Sequence, residues 1–153
     1  NGFMAPGQPA EIAYAREIVP NVNLIGRALR AAGGLVVYIQ NTITEETQEQ
    51  WCVWFDNFTK GEFKQRMIAA FARGSFGHAI YPDLEVLPED WAVEKQRFGA
   101  FVEGSSGLHA RLQERGIDTL IIVGTATNVC CESTARDAMM MNYKVVFVSD
   151  ANA

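Results

Sequence analysis

The sequence predicts an α/β fold, with a mainly parallel sheet and helices on both of its faces. Three observations carry this reading. Short, apolar, β-branched runs alternate with stretches of helical period. The links between several of these runs are short and marked by glycine. No repeat or change of composition separates a second domain from residues 1–153. With 48% hydrophobic and 20% charged residues, the chain has the side chains for one core.

The elements follow in order. Asn23 to Ala32 reads as a helix that places Leu24, Ala28, Ala31 and Ala32 on one face and Arg27 and Arg30 on another. Gly33 and Gly34 stop it, as glycine does just past a helix end. Leu35 to Ile39 is a continuous apolar run, the pattern of a strand buried on both faces. Ala92 to Lys95 is a shorter strand, and Ser105 to Arg115 a helix closed by Gly116, with Leu108 and Leu112 one turn apart. Thr119 to Val123 and Lys144 to Val148 are two further strands of buried type, flanking a helix that starts near Val129. Strand–helix–strand alternation with short links implies parallel pairing and right-handed crossovers.

Between Thr42 and Asp90 the pattern is less regular. Trp51, Trp54, Phe55 and Phe58 cluster there, followed by a helix from Glu62 to Ala72 and the loop Arg73 to Gly77. Long loops over an α/β sheet commonly cover a binding site. The aromatic cluster therefore has three readings: a lid or pocket wall, a subunit interface, or ordinary core packing.

The segment Gly124-Thr-Ala-Thr-Asn-Val-Cys130-Cys131 follows an apolar strand and opens a helix. A thiol in the first turn of a helix meets unpaired backbone N–H groups and the positive end of the dipole, which favour the thiolate. The same N–H groups suit an oxyanion formed when that thiolate attacks a carbonyl. The competing reading is a buried, inert cysteine. Cys131 is offset by about 100° around a helix of ~3.6 residues per turn, so it faces elsewhere and packs against the sheet. Lys95 ends its strand on the carboxyl edge of the sheet, where such folds bind ligands, and its ammonium suits a neighbouring thiolate. Its plainer reading is a solvated lysine. Arg136 and Asp137, two turns into the helix, read as structural.

Several classes are set aside. A net charge of −5 offers no basic patch for nucleic acid and no polybasic arm for a membrane. No apolar run approaches the ~20 residues of a membrane span. Three cysteines, two of them adjacent, do not make a disulfide framework, so a reducing cytoplasm is expected. His109 reads as a surface residue, and His78 as the one available partner for a cysteine–histidine dyad. Neither histidine has a second ligand at metal spacing, so no metal or cofactor is expected. No Gly-x-Gly-x-x-Gly follows a strand.

Residues Gly124, Thr127, Cys130, Glu132, Ser133, Thr134, Arg136 and Asp137 form a pattern that resembles the isochorismatase-like cysteine hydrolases. Two further runs fit in the expected order: Lys95, Arg97, Phe98, Ala100 and Phe101, and the opening Asn1-Gly2-Phe3-Met4. The resemblance implies a three-layer, Rossmann-like sandwich with Cys130 as nucleophile and Lys95 as its cation. It also implies a cis peptide between Thr125 and Ala126, with Thr125, Ala126 and Thr127 forming the loop that holds an oxyanion. Asn41, Trp54, Phe98 and Phe101 are the candidates for a substrate pocket. The family's catalytic aspartate would fall just before Asn1, so one domain, incomplete at both ends, is expected. The implied reaction is cleavage of a C–N bond in a small amide or ureido compound through a thioester, by a homo-oligomer. The alternatives are a vinyl-ether hydrolase of the isochorismate type and a non-catalytic oligomer component.

Overall fold

A computed structural model describes all of residues 1–153. After a short 3₁₀ turn at Ala13–Arg16, the chain forms α1 (Val19–Ala31), β1 (Val37–Asn41) and α2 (Glu45–Gln50). A π-type turn at Trp54–Phe58 leads to α3 (Gly61–Phe71) and β2 (Trp91–Lys95). Then come α4 (Leu108–Glu114), β3 (Thr119–Gly124), a second π-type turn at Thr127–Cys131, α5 (Glu132–Met140) and β4 (Lys144–Asn152). The architecture is α/β with parallel strands, as the alternation of patterns predicts.

α1 starts four residues before the predicted Asn23, with proline in its first turn, where the missing N–H costs nothing. That earlier start changes the buried face. Val19, Val22, Gly26 and Leu29 form the 3–4–3 stripe that turns inward, and Leu24 is 58% exposed instead of facing the core. The helix ends as predicted. Gly33 takes a φ of 80°, and the N–H groups of Gly33 and Gly34 return to the carbonyls of Arg30 and Leu29. β1 begins at Val37, two residues later than its apolar run.

β1 pairs with β2 in parallel, from Val37 opposite Trp91 to Asn41 opposite Lys95. β3 pairs with β4 in parallel, from Thr119 opposite Lys144, with an irregularity between Ile122 and Gly124. The two pairs do not join. Between the open edges of β1 and β3 lies a slot of about 510 Å³, lined on one side by residues 35–41 and on the other by residues 119–125. The strands are consequently not buried on both faces. Ile39, Ile121, Val146 and Phe147 are all exposed, a correction to the reading of continuous apolar runs as fully buried strands. Apolar β-branched sequence reports the strand, and only the neighbours decide how much water it meets.

The largest buried cluster is Val93, Ala100, Leu108, Leu112, Ala138 and Tyr143, which packs α4 and α5 against β2. Leu108 and Leu112 are at most 5% exposed, and each contributes roughly 1.5–3 kcal/mol of transfer free energy. A second cluster of Ile43, Phe55 and Phe71 anchors the long central segment beneath its π-type turn. Thr44 and Thr47 start α2 with a reciprocal capping box, each side chain accepting from the other's backbone N–H. That fixes the entry of the loop carrying Trp51 and Trp54.

Candidate active site

β2 ends at Lys95 and β3 ends at Gly124, so both strands deliver their last residues to the same edge. Gly124, at a φ of 123°, turns the chain out of β3 in a conformation that side-chain-bearing residues rarely adopt. A cis peptide joins Thr125 to Ala126, as the resemblance implies. The next turn, Thr127–Cys131, is held by the Ala126 carbonyl, which accepts from the N–H groups of Val129 and Cys131. Cys130 thus stands at the entry of α5, 7% exposed.

Lys95 is 5% exposed, which removes its reading as a solvated surface lysine. Its Nζ lies 3.3 Å from the Cys130 Sγ, 2.9 Å from the Arg97 carbonyl and 3.2 Å from the Asn41 Oδ1. An ammonium has three donors, and here it meets three acceptors. Cys131 is also buried, but burial and the neighbouring Cys130 push its thiol up to about 12, so it stays protonated. Of the two adjacent thiols, Cys130 is the one that the Lys95 ammonium meets.

A cavity of about 210 Å³ opens beside Cys130, which, with Phe3 and Asn41, borders both this cavity and the slot. Asn41, Trp54 and Phe98 line it together with Cys130, Ala126 and Val129. Trp51 and Trp54 stack with centroids 5.5 Å apart, and the Phe98 ring meets both edge-on. The aromatic segment therefore divides its roles by residue. Trp51 and Trp54 are pocket wall, Phe55 lines the same cavity from the core at 3% exposure, and Phe58 is 68% exposed. Phe3, Ile12, Met67 and Gln96 also line the cavity. No local signal marks them, because they come from four separate segments.

Phe101 does not join this pocket. Its ring stacks on Tyr143 at 5.4 Å and packs with the main core, because the turn after Phe98 carries the chain down toward α4. Thr127 caps nothing with its side chain, since Ala126 occupies the cap position, and its N–H donates to the Ala153 carbonyl. Thr125 faces the slot, where its buried Oγ1 has no hydrogen-bond partner. The Ala126 N–H bonds to no acceptor, which leaves one free donor beside the thiol.

The histidines take places the sequence did not reveal. His78 Nε2 meets the Thr42 hydroxyl at 2.9 Å and a Glu94 oxygen at 3.6 Å, so it forms no dyad with Cys130. His109 is half-buried, with Nδ1 2.9 Å from the Tyr143 hydroxyl, and is not a surface residue. Arg136 pairs with Glu132 one turn away, and the Asp137 carboxylate fills the space above Gly99. No three His, Cys, Asp or Glu side chains gather as a metal site.

The model of the isochorismatase domain covers residues 1–153. A ureidoacrylate amidohydrolase of Rhizobium rhizogenes, RutB, is 33% identical over 92% of this chain, which spans 59% of that relative's length. A cysteine hydrolase from Pseudomonas syringae pv. phaseolicola superposes with a TM-score of 0.79 at 28% identity, over 99% of this chain and 67% of its own. An isochorismatase family protein from Desulfovibrio vulgaris gives 0.81 at 27% identity, over 99% and 76%. On its sequence motifs, its fold and these matches, the chain belongs to the isochorismatase family.

Proposed function

We propose that this chain carries the core of a cysteine amidohydrolase that cleaves a C–N bond of a small amide or ureido compound. The observation that supports it most is the buried contact of 3.3 Å between Lys95 Nζ and Cys130 Sγ at the mouth of an apolar pocket. An ammonium sealed from water has no structural need for a thiol partner, whereas a thiolate nucleophile needs a cation. In the proposed reaction the Cys130 sulfur attacks the carbonyl carbon, and the Ala126 N–H donates to the developing oxyanion. The C–N bond then breaks, nitrogen departs as ammonia or an amine, and water hydrolyses the thioester to the acid and the free thiol. Cys130 favours this chemistry over vinyl-ether hydrolysis, which requires no thiol.

The leaving nitrogen requires a proton, which a base must take from the thiol and hand on. Neither the pocket nor the slot is lined by an aspartate or glutamate. We propose that the base is a carboxylate on a further strand seated in the slot. Two open parallel edges, an apolar lining and the unpartnered Thr125 hydroxyl support a strand there. The test is ammonia release from a panel of small amides, by the chain alone and by a chain extended with the family's aspartate-bearing strand. Turnover in the extended chain that disappears in its Cys130→Ser variant is the expected result. Equal turnover by Cys130→Ser would refute the nucleophile. We propose a reducing compartment for the protein, a reading that its exposed, unpaired Cys52 supports.

A further inference from the structure

We propose that the pocket beside Cys130 selects amides whose acyl group is uncharged and apolar, and rejects those whose acyl group carries a carboxylate. This rests on the amidohydrolase reading for the reaction, but the selection itself follows from the cavity wall. Sixteen residues line it, twelve of them hydrophobic, and none is a lysine, arginine, histidine, aspartate or glutamate. The four polar ones are Asn41, Thr42, Thr47 and Gln96.

Two of those four are already committed. The Thr42 hydroxyl bonds the Gln40 carbonyl and His78, and Thr47 is engaged in the capping box with Thr44. Asn41 has given its oxygen to Lys95, which leaves its N–H₂ donor, and the Gln96 carboxamide makes no hydrogen bond. Two neutral amide side chains thus remain to meet a ligand. They match the donors and acceptors of a carboxamide, not a full negative charge.

The nearest cations do not repair this. Lys95 spends its three donors on Asn41, the Arg97 carbonyl and Cys130, which leaves none for a carboxylate deeper in the pocket. Arg97 places its guanidinium 5.5 Å from the Trp51 ring and bonds the Gln96 carbonyl and Gln50, outside the cavity. A substrate carboxylate would therefore lie among Trp51, Trp54, Phe98 and Met67 without a counter-ion, which is among the costliest forms of burial. In size, about 210 Å³ exceeds the ~150 Å³ apolar cavity that accepts benzene, so a six-membered ring or a branched chain of similar bulk fits.

The experiment titrates the whole chain carrying Cys130→Ser, so that binding is read without turnover. Quenching of Trp51 and Trp54 fluorescence reports occupancy. The probes are two matched pairs: benzamide with 4-carboxybenzamide, and isovaleramide with succinamate. Each neutral amide is expected to bind at least about 100-fold more tightly than its partner. Met67→Arg places a cation in the wall and should reverse the preference, and Ala10→Lys serves if Met67→Arg does not fold. Equal affinity within a pair, tighter binding of the acids, or no quenching by either neutral amide would overturn the proposal. Ammonia release by the strand-extended chain separates the two readings. Release from both members of a pair at equal rates sinks the selectivity alone, and neutral binding without any release sinks the hydrolase reading alone.

Discussion

Replacing Lys95 by methionine removes one charge from the site and keeps most of the apolar stem. At the observed 3.3 Å, two unit charges attract by about 1.3 kcal/mol in bulk water and about 5 kcal/mol at the effective dielectric constant of ~20 that suits partly buried pairs. Lys95 and Cys130 are 5% and 7% exposed but face an open pocket, so the pair falls between these limits. A middle value of about 3 kcal/mol corresponds to roughly a 10²-fold slower attack on a carbonyl. Stability should change little, because the lost bonds to Asn41 and the Arg97 carbonyl, about 1 kcal/mol each, are offset by releasing a buried ammonium. The assay is ammonia release by the strand-extended chain, together with the rate of Cys130 alkylation by iodoacetamide and the melting temperature. Lys95→Arg should rescue only part of the rate, since a planar guanidinium cannot meet three acceptors arranged around one nitrogen. Unchanged turnover and alkylation in a folded Lys95→Met protein would show that the ammonium serves only packing.

Three further outcomes are expected. In a Cys52→Ser background, iodoacetamide at pH 7 should label Cys130 and spare Cys131, whose thiol is held up at about 12, and mass mapping with Cys131 labelled first would reverse the assignment. Arg30 and the Leu87 N–H hold the Asp90 carboxyl below its usual range, so the folded state gains stability above the ordinary carboxylate range and loses it as pH falls through the lowered value. Because the ion pair is nearly enclosed, Asp90→Ala should cost about 3 kcal/mol at pH 7 and flatten that acid dependence in chemical denaturation. Gly77→Ala should destabilise the loop behind α3 by about 1–3 kcal/mol, since its Cβ would sit 2.3 Å from the Ala70 carbonyl oxygen, a backbone atom that cannot turn aside; an unchanged melting temperature would contradict that packing.

The sequence by itself determined what is local. The α/β alternation, the glycine stops of α1 and α4, and the strand–turn–helix mount of Cys130 are written in contiguous residues, whose periodicity and turn chemistry act over a few positions. Long-range contacts required the tertiary structure. Lys95 and Cys130 are 35 residues apart, and their meeting depends on two strands from different pairs ending at one edge. The stripe of α1 was misplaced because the boundary of a helix sets which face turns inward, and Val19 sits before the obvious pattern. Phe98 and Phe101 look alike in sequence, yet one walls the pocket and the other joins Tyr143 in the core, because the chain turns between them. Only that turn, fixed by packing against α4, decides which ring lines the cavity.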